Sequence, residues 1–437
     1  MAKEAKQPKE LRPYGEMSQK KLLKEKDALT QAYNDFKARG LSLDMSRGKP
    51  SAQQLDLSMG ILDMLDGRSI MKLSHGVDVR NYGVLDGLPE AKELMADLVD
   101  ARPSQVIVLG SSSLNVMFDT VVRGMLVGFA GCKPWCKLPQ VRFLCPVPGY
   151  DRHFAITEHF GIDMINVPMH HDGPDMDMIE KMVSTDDSIK GIWCVPKFTN
   201  PQGIVYSDET IERFASLKPK AKDFRIFWDN AYSVHYLYET IEIPNILELA
   251  AKAGNPDMVF EFVSTSKITF SGGGLAAFVS SEANVFEMKQ TMTVQTIGYD
   301  KVNMLRHAKF FKDKEAVLEH MKKHAEILRP KFEMVLSILD RDLKGRDAGT
   351  WESPRGGYFI TFEAQDGCAR RIVELAKGAG VVMTDAGAPF PYHKDPHDSM
   401  IRIAPSFPTL EALEQATNIF TVCVRLATIE KLLKEIE

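Results

Sequence analysis

Between about residues 105 and 282, short apolar runs alternate with segments of helical periodicity, and this alternation constrains the fold more than any other feature. The first run, QVIVLG (105–110), leads directly into SSSLNVMFDTVVRGMLVGF, whose apolar residues repeat at helical spacing. DETIERFASL and ILELAAKAG are further helical segments. The later apolar runs are VRFLCPV, MINVPM, IKGIWCVP, FRIFWDN, VFEFVST and LAAFVSS. Short buried strands separated by helices predict a mostly parallel sheet that is covered on both faces.

The pattern changes after about residue 300. Residues 303–345 indicate long helices without strands, and GGYFITFEA and SMIRIAPS are apolar runs further along the chain. Helical segments lie around Ile372–Ala379 and from Thr409 onward. We therefore predict an α/β protein with a helix-covered, mostly parallel central sheet in a large domain, and a smaller α+β domain. The predicted division is 1–50 for an arm and a helix of the small domain, 51–300 for the large domain, and 301–437 for the small domain.

Composition excludes several classes of function. The chain has 437 residues and is 44% hydrophobic, which is enough for a sizeable core. A net charge of -5 without a basic stripe argues against a nucleic-acid partner. No apolar run approaches the roughly 20 residues of a membrane span, and the opening MAKEAKQPKELRPYGEMSQKK is too polar for a signal peptide. We expect a cytoplasmic protein that does not bind membranes.

The six cysteines predict neither a disulfide framework nor a metal site. An even number of cysteines in a long intracellular chain does not imply disulfides. Cys132 and Cys136 are close enough to share a metal, but no second pair of ligands follows them. We interpret them as free thiols.

Lys267 is the first candidate catalytic residue. It lies in STSKITFSGGG (264–274), just after an apolar run and before three glycines, which allow a ligand to approach the backbone closely. The serines beside it offer hydroxyl groups to a phosphate. A buried lysine with a lowered pKa can form an imine, whereas an exposed lysine stays protonated. A Ser/Gly loop with an incidental lysine is the alternative interpretation.

Three other segments favour a ligand site, although each has an ordinary structural explanation. Asp229 in FWDNAYSVHY (227–236) ends a predicted strand, where ligands bind in α/β sheets, but an aspartate there can also cap a helix. FTNPQG (198–203) is a turn after another strand. GSSS (110–113) joins a strand to a helix, which suits a phosphate or a simple helix cap.

The order of these segments is that of fold-type I enzymes dependent on pyridoxal 5′-phosphate (PLP). From about Asp44 to the C-terminus the chain resembles the class I aminotransferases, and among them a divergent bacterial subgroup of aspartate aminotransferases. The segments that carry the resemblance are NYGVLDGLPE (81–90), PVPGYDRH, NPQG, SRGKP and MIRIAPS, together with those described above.

This resemblance implies a role for each matching residue. Lys267 would hold PLP as a Schiff base and act as general acid and base, and Asp229 would pair with the ring nitrogen with His153 behind it. Tyr232 and Asn200 would bind the ring hydroxyl, and Tyr150 would stack on the ring. The implied phosphate ligands are Ser111, Ser112, Ser113, Ser264 and, from the neighbouring subunit, Tyr82. The implied substrate ligands are Arg402 and Gly48 at the α-carboxylate, with Asn200 beside them.

The chain also departs from the family pattern. Family members usually carry a phosphate-binding arginine eight residues after the lysine, but Leu275 stands there, and no arginine occurs in SGGGLAAFVSS. Arg80 is a candidate replacement. A cation from the neighbouring subunit binds the distal carboxylate in aspartate aminotransferases, and the matching stretch TVQTIGYDKVNMLRH offers Lys301 and Arg306.

The function that the resemblance implies is ping-pong transamination between L-aspartate and 2-oxoglutarate, in a homodimer with shared active sites. Its partners would be a small amino acid and a 2-oxo acid. The alternatives are another PLP-dependent reaction on the same fold, such as β-elimination or transfer from a different donor, and a non-catalytic PLP-binding or effector-binding module.

Overall fold

The structure is a computed structural model that describes residues 12–437, so the first eleven residues of the predicted N-terminal arm lie outside the described residues. Its strands, in chain order, are β1 (Leu43–Asp44), β2 (Val106–Val108), β3 (Arg142–Val147), β4 (Asp163–His170), β5 (Gly173–Pro174), β6 (Ile189–Cys194), β7 (Arg225–Asp229), β8 (Val259–Ser264), β9 (Ala276–Val279), β10 (Gly349–Trp351), β11 (Ile360–Ala364), β12 (Val381–Val382) and β13 (Met400–Ile403).

The α-helices alternate with the strands in the first two thirds of the chain. In chain order they are α1 (Gln19–Ala38), α2 (Ala52–Asp56), α3 (Pro89–Asp97), α4 (Ser113–Leu126), α5 (Asp151–His159), α6 (Met176–Thr185), α7 (Asp208–Ala215), α8 (Ile246–Lys252), α9 (Glu282–Met292), α10 (Lys301–Phe310), α11 (Lys314–Leu343), α12 (Ala369–Gly378) and α13 (Leu410–Ile436). No helix within residues 12–437 combines the length and the apolar character needed to cross a membrane.

An eight-stranded sheet forms the centre of the large domain, in the order β2-β9-β8-β7-β6-β3-β4-β5. The five neighbouring strands β8, β7, β6, β3 and β4 pair in parallel. β9 runs antiparallel to both of its neighbours, and β5 is a short antiparallel edge strand. Every residue of β6, β7 and β8 is buried, as expected for central strands with helices on both faces. The predicted fold class is confirmed.

The small domain is built around a three-stranded antiparallel sheet, β10-β11-β13, and the parallel pair β1-β12. Helix α1 packs on α13, and its Leu22 and Leu29 belong to the same apolar core as residues of α12 and α13. Thr409 caps α13 by accepting a hydrogen bond from the backbone of Ala412, as its type and position favour. The N-terminal helix is therefore part of the small-domain core.

Helix α11 joins the two domains. Val317 and Met321 in its first half pack in the core around the large sheet, whereas Leu328 and Phe332 further along pack in the small-domain core. Leu305 of α10 also belongs to the large-domain core. The division predicted at residues 50 and 300 stays a prediction.

The parallel arrangement gathers the candidate residues. Because β6, β7 and β8 are parallel neighbours, their carboxyl ends meet at one edge of the sheet. Asp229 is the last residue of β7, and the loops that carry Asn200 and Lys267 follow β6 and β8. Three segments that are distant in sequence therefore converge on one crevice.

A buried carboxyl group lies inside this sheet. Glu261 on β8 is 3% exposed, and it accepts a hydrogen bond from Nδ2 of Asn230 at 2.9 Å. Burial raises the pKa of Glu261 to about 8. Since an unfolded glutamate has a pKa of about 4.3, the folded chain keeps a proton that the unfolded chain loses over the interval between these values.

We predict that the stability of the protein falls as the pH rises from about 4.5 to 8, because Glu261 must ionise in the unfolded state and cannot do so in the folded state. The slope from this group approaches about 1.4 kcal/mol per pH unit within the interval. Glu261→Gln keeps a neutral side chain, so its melting temperature should fall less than that of the wild type over the same interval. Glu248→Gln, at an exposed carboxylate on α8, is the matched control. If the melting temperatures of the wild type and Glu261→Gln fell equally as the pH rises, that result would contradict the prediction.

Candidate functional site

A cavity of about 510 Å³ opens between the two domains at the carboxyl edge of the parallel strands. Its wall on the large-domain side includes five of the residues that the resemblance implies, namely Tyr150, Asn200, Asp229, Tyr232 and Lys267. Gly48, Phe359, Thr384 and Arg402 line the side contributed by the small domain and the segment after β1.

Asp229 has one satisfied and one unsatisfied carboxylate oxygen. Its Oδ2 lies 2.9 Å from Nε2 of His153, whereas Oδ1 is buried without a hydrogen-bond partner among residues 12–437. His153 is held by the indole of Trp193, which stacks on it at 4.5 Å between ring centroids with an interplanar angle of 10°. A buried carboxylate oxygen without a donor is costly, so Asp229 is suited to accept a hydrogen bond from a ligand in the cavity.

The amino group of Lys267 lies over the face of Tyr232, with 4.6 Å between Nζ and the ring centroid. Tyr232 is 3% exposed, and burial raises the pKa of its hydroxyl above the usual range. Burial likewise raises the pKa of Tyr150 to about 12. Both phenols are therefore neutral at physiological pH and offer a hydroxyl donor and an aromatic face at the cavity wall.

Arg402 is the buried cation of the small-domain side. Its Nη1 donates to Oδ1 of Asp151 at 3.0 Å and to Oδ1 of Asn200 at 3.1 Å, and its Nη2 donates to Oγ1 of Thr384 at 3.1 Å. Its Nε is buried without an acceptor among the described residues. The ring of Phe359 lies 4.9 Å from Cζ of the guanidinium. These contacts fix the guanidinium and leave the N–H of Nε and the second N–H of Nη2 for an anionic ligand.

Gly48 is close to the same ring. A Cβ atom at position 48 would fall well inside contact distance of Phe359. A larger residue at position 48 must therefore displace the aromatic ring that packs on Arg402.

The serine turn lies beside the lysine segment, outside the cavity wall. Ser112 is the N-cap of α4, and its side chain makes no capping hydrogen bond. The carbonyl of Ser111 accepts a hydrogen bond from Oγ of Ser266 at 2.9 Å, which ties the turn to the chain just before Lys267. Ser113 and Ser264 are buried at 8% and 6% exposure. The first turn of a 14-residue helix offers unpaired N–H groups and the positive end of the helix dipole to a phosphate.

The other predicted residues lie away from the cavity of this chain. Tyr82 is 82% exposed. Arg80 pairs with Asp78, with 2.6 Å between its Nη2 and Oδ2. Nζ of Lys301 donates to the carbonyl of Gly83 at 3.1 Å, and Arg306 does not line the cavity.

Position 275 belongs to the protein core. Leu275 is 2% exposed and packs in the large-domain cluster, and its N–H donates to Oγ1 of Thr265 at 2.8 Å. Position 275 therefore has an apolar side chain in an apolar environment, and not the arginine of the family pattern.

Three residues of this site carry no recognisable signal in the sequence, namely Asp151, Thr384 and Phe359. Asp151 directly follows Tyr150, but nothing local indicates that it pairs with an arginine 251 residues away. Thr384 lies after β12 in a segment without a recognisable motif. Phe359 follows a pair of glycines and a tyrosine, a pattern that signals a strand start but not contact with Arg402.

Comparisons with known proteins identify the family to which the chain belongs. The model of the family described as "Aspartate amino-transferase" matches residues 17–435. An aspartate aminotransferase of Corynebacterium glutamicum is 43% identical over 404 residues, which cover 92% of this chain and 93% of that protein. A crystal structure of an aspartate transaminase from C. glutamicum superposes with a TM-score of 0.92 at 42% identity, covering 96% of this chain and 99% of that one.

A more distant structure shows the same fold. LysN, the α-aminoadipate aminotransferase of Thermus thermophilus, has a TM-score of 0.70 at 19% identity and covers 92% of this chain and 96% of its own. That structure is complexed with N-(5′-phosphopyridoxyl)-L-leucine. Fold and relatives together define an enzyme that transfers amino groups. The chain belongs to the aspartate aminotransferase family.

We predict that Gly48→Ala raises the KM for the amino-acid substrate about tenfold, equivalent to about 1.4 kcal/mol, with a smaller change in kcat. The added methyl group must displace Phe359, and with it the guanidinium of Arg402. Steady-state kinetics measures the effect. Gly67→Ala is the matched control, because a Cβ there meets no atom within 4 Å. A folded Gly48→Ala variant with an unchanged KM would show that the Phe359 contact does not position Arg402.

Proposed function

We propose that this chain is a PLP-dependent aminotransferase that passes the amino group of L-aspartate to 2-oxoglutarate by a ping-pong mechanism. The observation that carries the proposal is Asp229, whose Oδ1 is buried without a partner in a cavity that Lys267 and Arg402 also line. A PLP-dependent enzyme that acts on amino acids needs an anion beside the ring nitrogen, an amine that binds the cofactor and a cation that binds the substrate carboxylate.

The residues fit PLP. Asp229 Oδ1 is an acceptor for a protonated ring nitrogen, and Asn200 and Tyr232 would bind the ring hydroxyl, with Tyr150 stacked on the ring. Ser111, Ser112, Ser113 and Ser264 would hold the phosphate with the N–H groups of α4. PLP, when bound, supplies an electron-accepting ring that stabilises negative charge at the substrate Cα.

Two residues of the chain act directly on the substrate. Arg402 binds the α-carboxylate through the N–H donors of Nε and Nη2 that its protein partners leave unpaired, and the contacts to Asp151 and Thr384 keep the guanidinium from rotating. Nζ of Lys267 takes the proton from the substrate Cα and later returns a proton as general acid. Phe359, which packs on Arg402, excludes water from the clamp.

A dicarboxylate substrate is supported by the name of a relative. The C. glutamicum relative is named an aspartate aminotransferase. A desolvated distal carboxylate needs a cation, since an unpaired buried charge costs several kcal/mol. Lys301 or Arg306 of a neighbouring subunit remains our proposal for that cation.

We expect the purified protein, supplied with PLP and 2-oxoglutarate, to use aspartate with a higher kcat/KM than alanine or other neutral amino acids in a panel assay. Lys267→Ala should lose both this activity and the visible absorbance of lysine-bound PLP, because Nζ is the atom that binds the cofactor and moves the proton.

Lys314→Ala, at a lysine that pairs with Asp100 outside the cavity, is the control and should keep both signals. A Lys267→Ala variant with wild-type turnover would contradict the assignment of Lys267. A panel in which aspartate is not preferred would contradict the dicarboxylate substrate, and release of pyruvate or ammonia from β-substituted donors would favour the lyase alternative.

We also propose a homodimer with shared active sites. Tyr82 and the segment 293–300 lie together on one face, because Gly298 packs on the carbonyl of Gly83, to which Lys301 also donates. Large apolar side chains are exposed on these segments, namely Tyr82 at 82%, Val294 at 91% and Ile297 at 62%. Apolar side chains at this exposure favour burial against a second copy of the chain.

Subunit complementation tests whether the two subunits share their active sites. If Tyr82 serves the neighbouring site, a hybrid of Tyr82→Ala and Lys267→Ala subunits has one intact site and one doubly defective site. Statistical mixing should then restore about a quarter of wild-type activity. A mixture of Asp229→Ala and Lys267→Ala subunits is the matched control and should restore none, since both residues act within their own site. No recovery with Tyr82→Ala, or an active monomer at high dilution, would rule out the shared site.

A further inference from the structure

Behind Lys267 a ring of buried polar side chains connects two consecutive main-chain carbonyls. Oη of Tyr358 donates to the carbonyl of Lys267 at 3.4 Å, and Nε2 of Gln54 donates to Oη of Tyr358 at 2.9 Å. Nε2 of Gln54 also lies 3.1 Å from Nδ1 of His324, whose Nε2 lies 3.1 Å from Nε2 of His320. The same Nε2 of His320 lies 3.0 Å from the carbonyl of Ile268, which completes a ring of close contacts.

These four side chains come from three separate parts of the chain. Gln54 lies on α2, His320 and His324 lie on α11, and Tyr358 lies just before β11 of the small sheet. Their exposures range from 0% for Gln54 and His324 to 6% for His320. None of them lines the cavity, so substrate and cofactor do not account for their burial.

The orientation of Gln54 is fixed by its own neighbours. Its Oε1 accepts a hydrogen bond from the backbone of Ser51 at 3.1 Å, so its amide nitrogen must face Tyr358 and His324. Tyr358 then has its hydroxyl hydrogen free for the carbonyl of Lys267. Gln54, in the N-terminal part of the chain, therefore orients Tyr358, and Tyr358 in turn orients the backbone of Lys267.

A fifth residue, His235, lies next to the ring. Its imidazole contacts Tyr232 and Tyr358 edge-on, at 5.5 Å and 5.7 Å between centroids, and both ring nitrogens are buried without a hydrogen-bond partner among residues 12–437. Burial, followed by repulsion from Lys267, lowers the pKa of His235 to about 3, and burial lowers that of His324 to about 3. Both imidazoles are neutral, so this support adds no positive charge beside Lys267.

We propose that Tyr358 and Gln54, with His324 and His320 behind them, are positioning residues for Lys267: they hold its main chain so that Nζ stays at the face of Tyr232. This inference rests on the proposed function, because it assigns the role of the ring through the lysine that binds PLP. A lysine that must both bind a cofactor and carry a proton is sensitive to small displacements, and misplacement by about 1 Å can cost as much as 10²-fold in rate.

The test is Tyr358→Phe in the PLP-loaded, full-length enzyme. The substitution keeps the aromatic ring but removes the donor to Lys267 and the acceptor for Gln54. In stopped-flow mixing with aspartate, the rate constant at saturating substrate should fall about tenfold, and the half-saturating concentration should change less than about twofold. The absorbance band of lysine-bound PLP in the resting enzyme should shift or weaken.

The matched control is Tyr14→Phe. Tyr14 is also fully buried, and its hydroxyl accepts a hydrogen bond from Nε of Arg425 at 2.9 Å, in the small-domain core. Both variants should lower the melting temperature, but only Tyr358→Phe should alter the band and the rate constant. If Tyr358→Phe does not fold, Gln54→Met supplies the test, because it removes both amide donors at similar volume and should alter the same two signals.

The outcomes separate this inference from the proposed function. A wild-type protein that shows no band of lysine-bound PLP would overturn both. A normal wild-type band, together with unchanged spectra and rate constants in the folded Tyr358→Phe or Gln54→Met variant, would overturn the positioning role alone. The same conclusion would follow if Tyr14→Phe altered the band and the rate constant as much as Tyr358→Phe.

Discussion

The site depends on one half-satisfied carboxylate. Asp229 can remain buried at the end of β7 because His153 lies against one of its oxygens, and Trp193 stacks on that histidine. The other oxygen has no donor among the described residues, an arrangement that costs free energy in an isolated fold. Such a cost persists where a ligand supplies the missing donor, as the protonated ring nitrogen of the proposed cofactor would do.

The two domains contribute different residues to the site. The large sheet places Asp229 and Lys267 at the ends of adjacent parallel strands, so that their distance follows from the pairing of β7 with β8. The small domain brings Arg402 on β13, and Thr384 and Phe359 hold it from that side. Helix α11 packs in both cores and also carries His320 and His324, which support the lysine segment. Helix α11 thus links the lysine segment to the small-domain core in which β13, the strand of Arg402, packs.

The sequence could predict those features whose residues lie close together in the chain, but not the contacts between distant segments. Central strands such as β6 and β7 are continuous apolar runs, and an aspartate that ends such a run is recognisable without a structure. The pairing of Asp151 with Arg402, or of Gln54 with Tyr358, joins residues far apart in sequence. Neither residue type nor spacing indicates such contacts, because they arise only when the small domain packs against the large one.

The position of Leu275 illustrates how a departure from the family pattern can be accommodated. An arginine there would bring a guanidinium into the large-domain core, where Leu275 packs and where its N–H is already bound to Thr265. Burying that charge without a phosphate would cost several kcal/mol. A phosphate bound by the N–H groups of α4 and by serine hydroxyls, as we propose, would meet neutral donors and the positive end of a helix dipole, which need no counter-ion. At position 275 the chain therefore has an apolar core residue in place of a cation, and the phosphate donors that we propose are the N–H groups of α4 and the neighbouring serine hydroxyls.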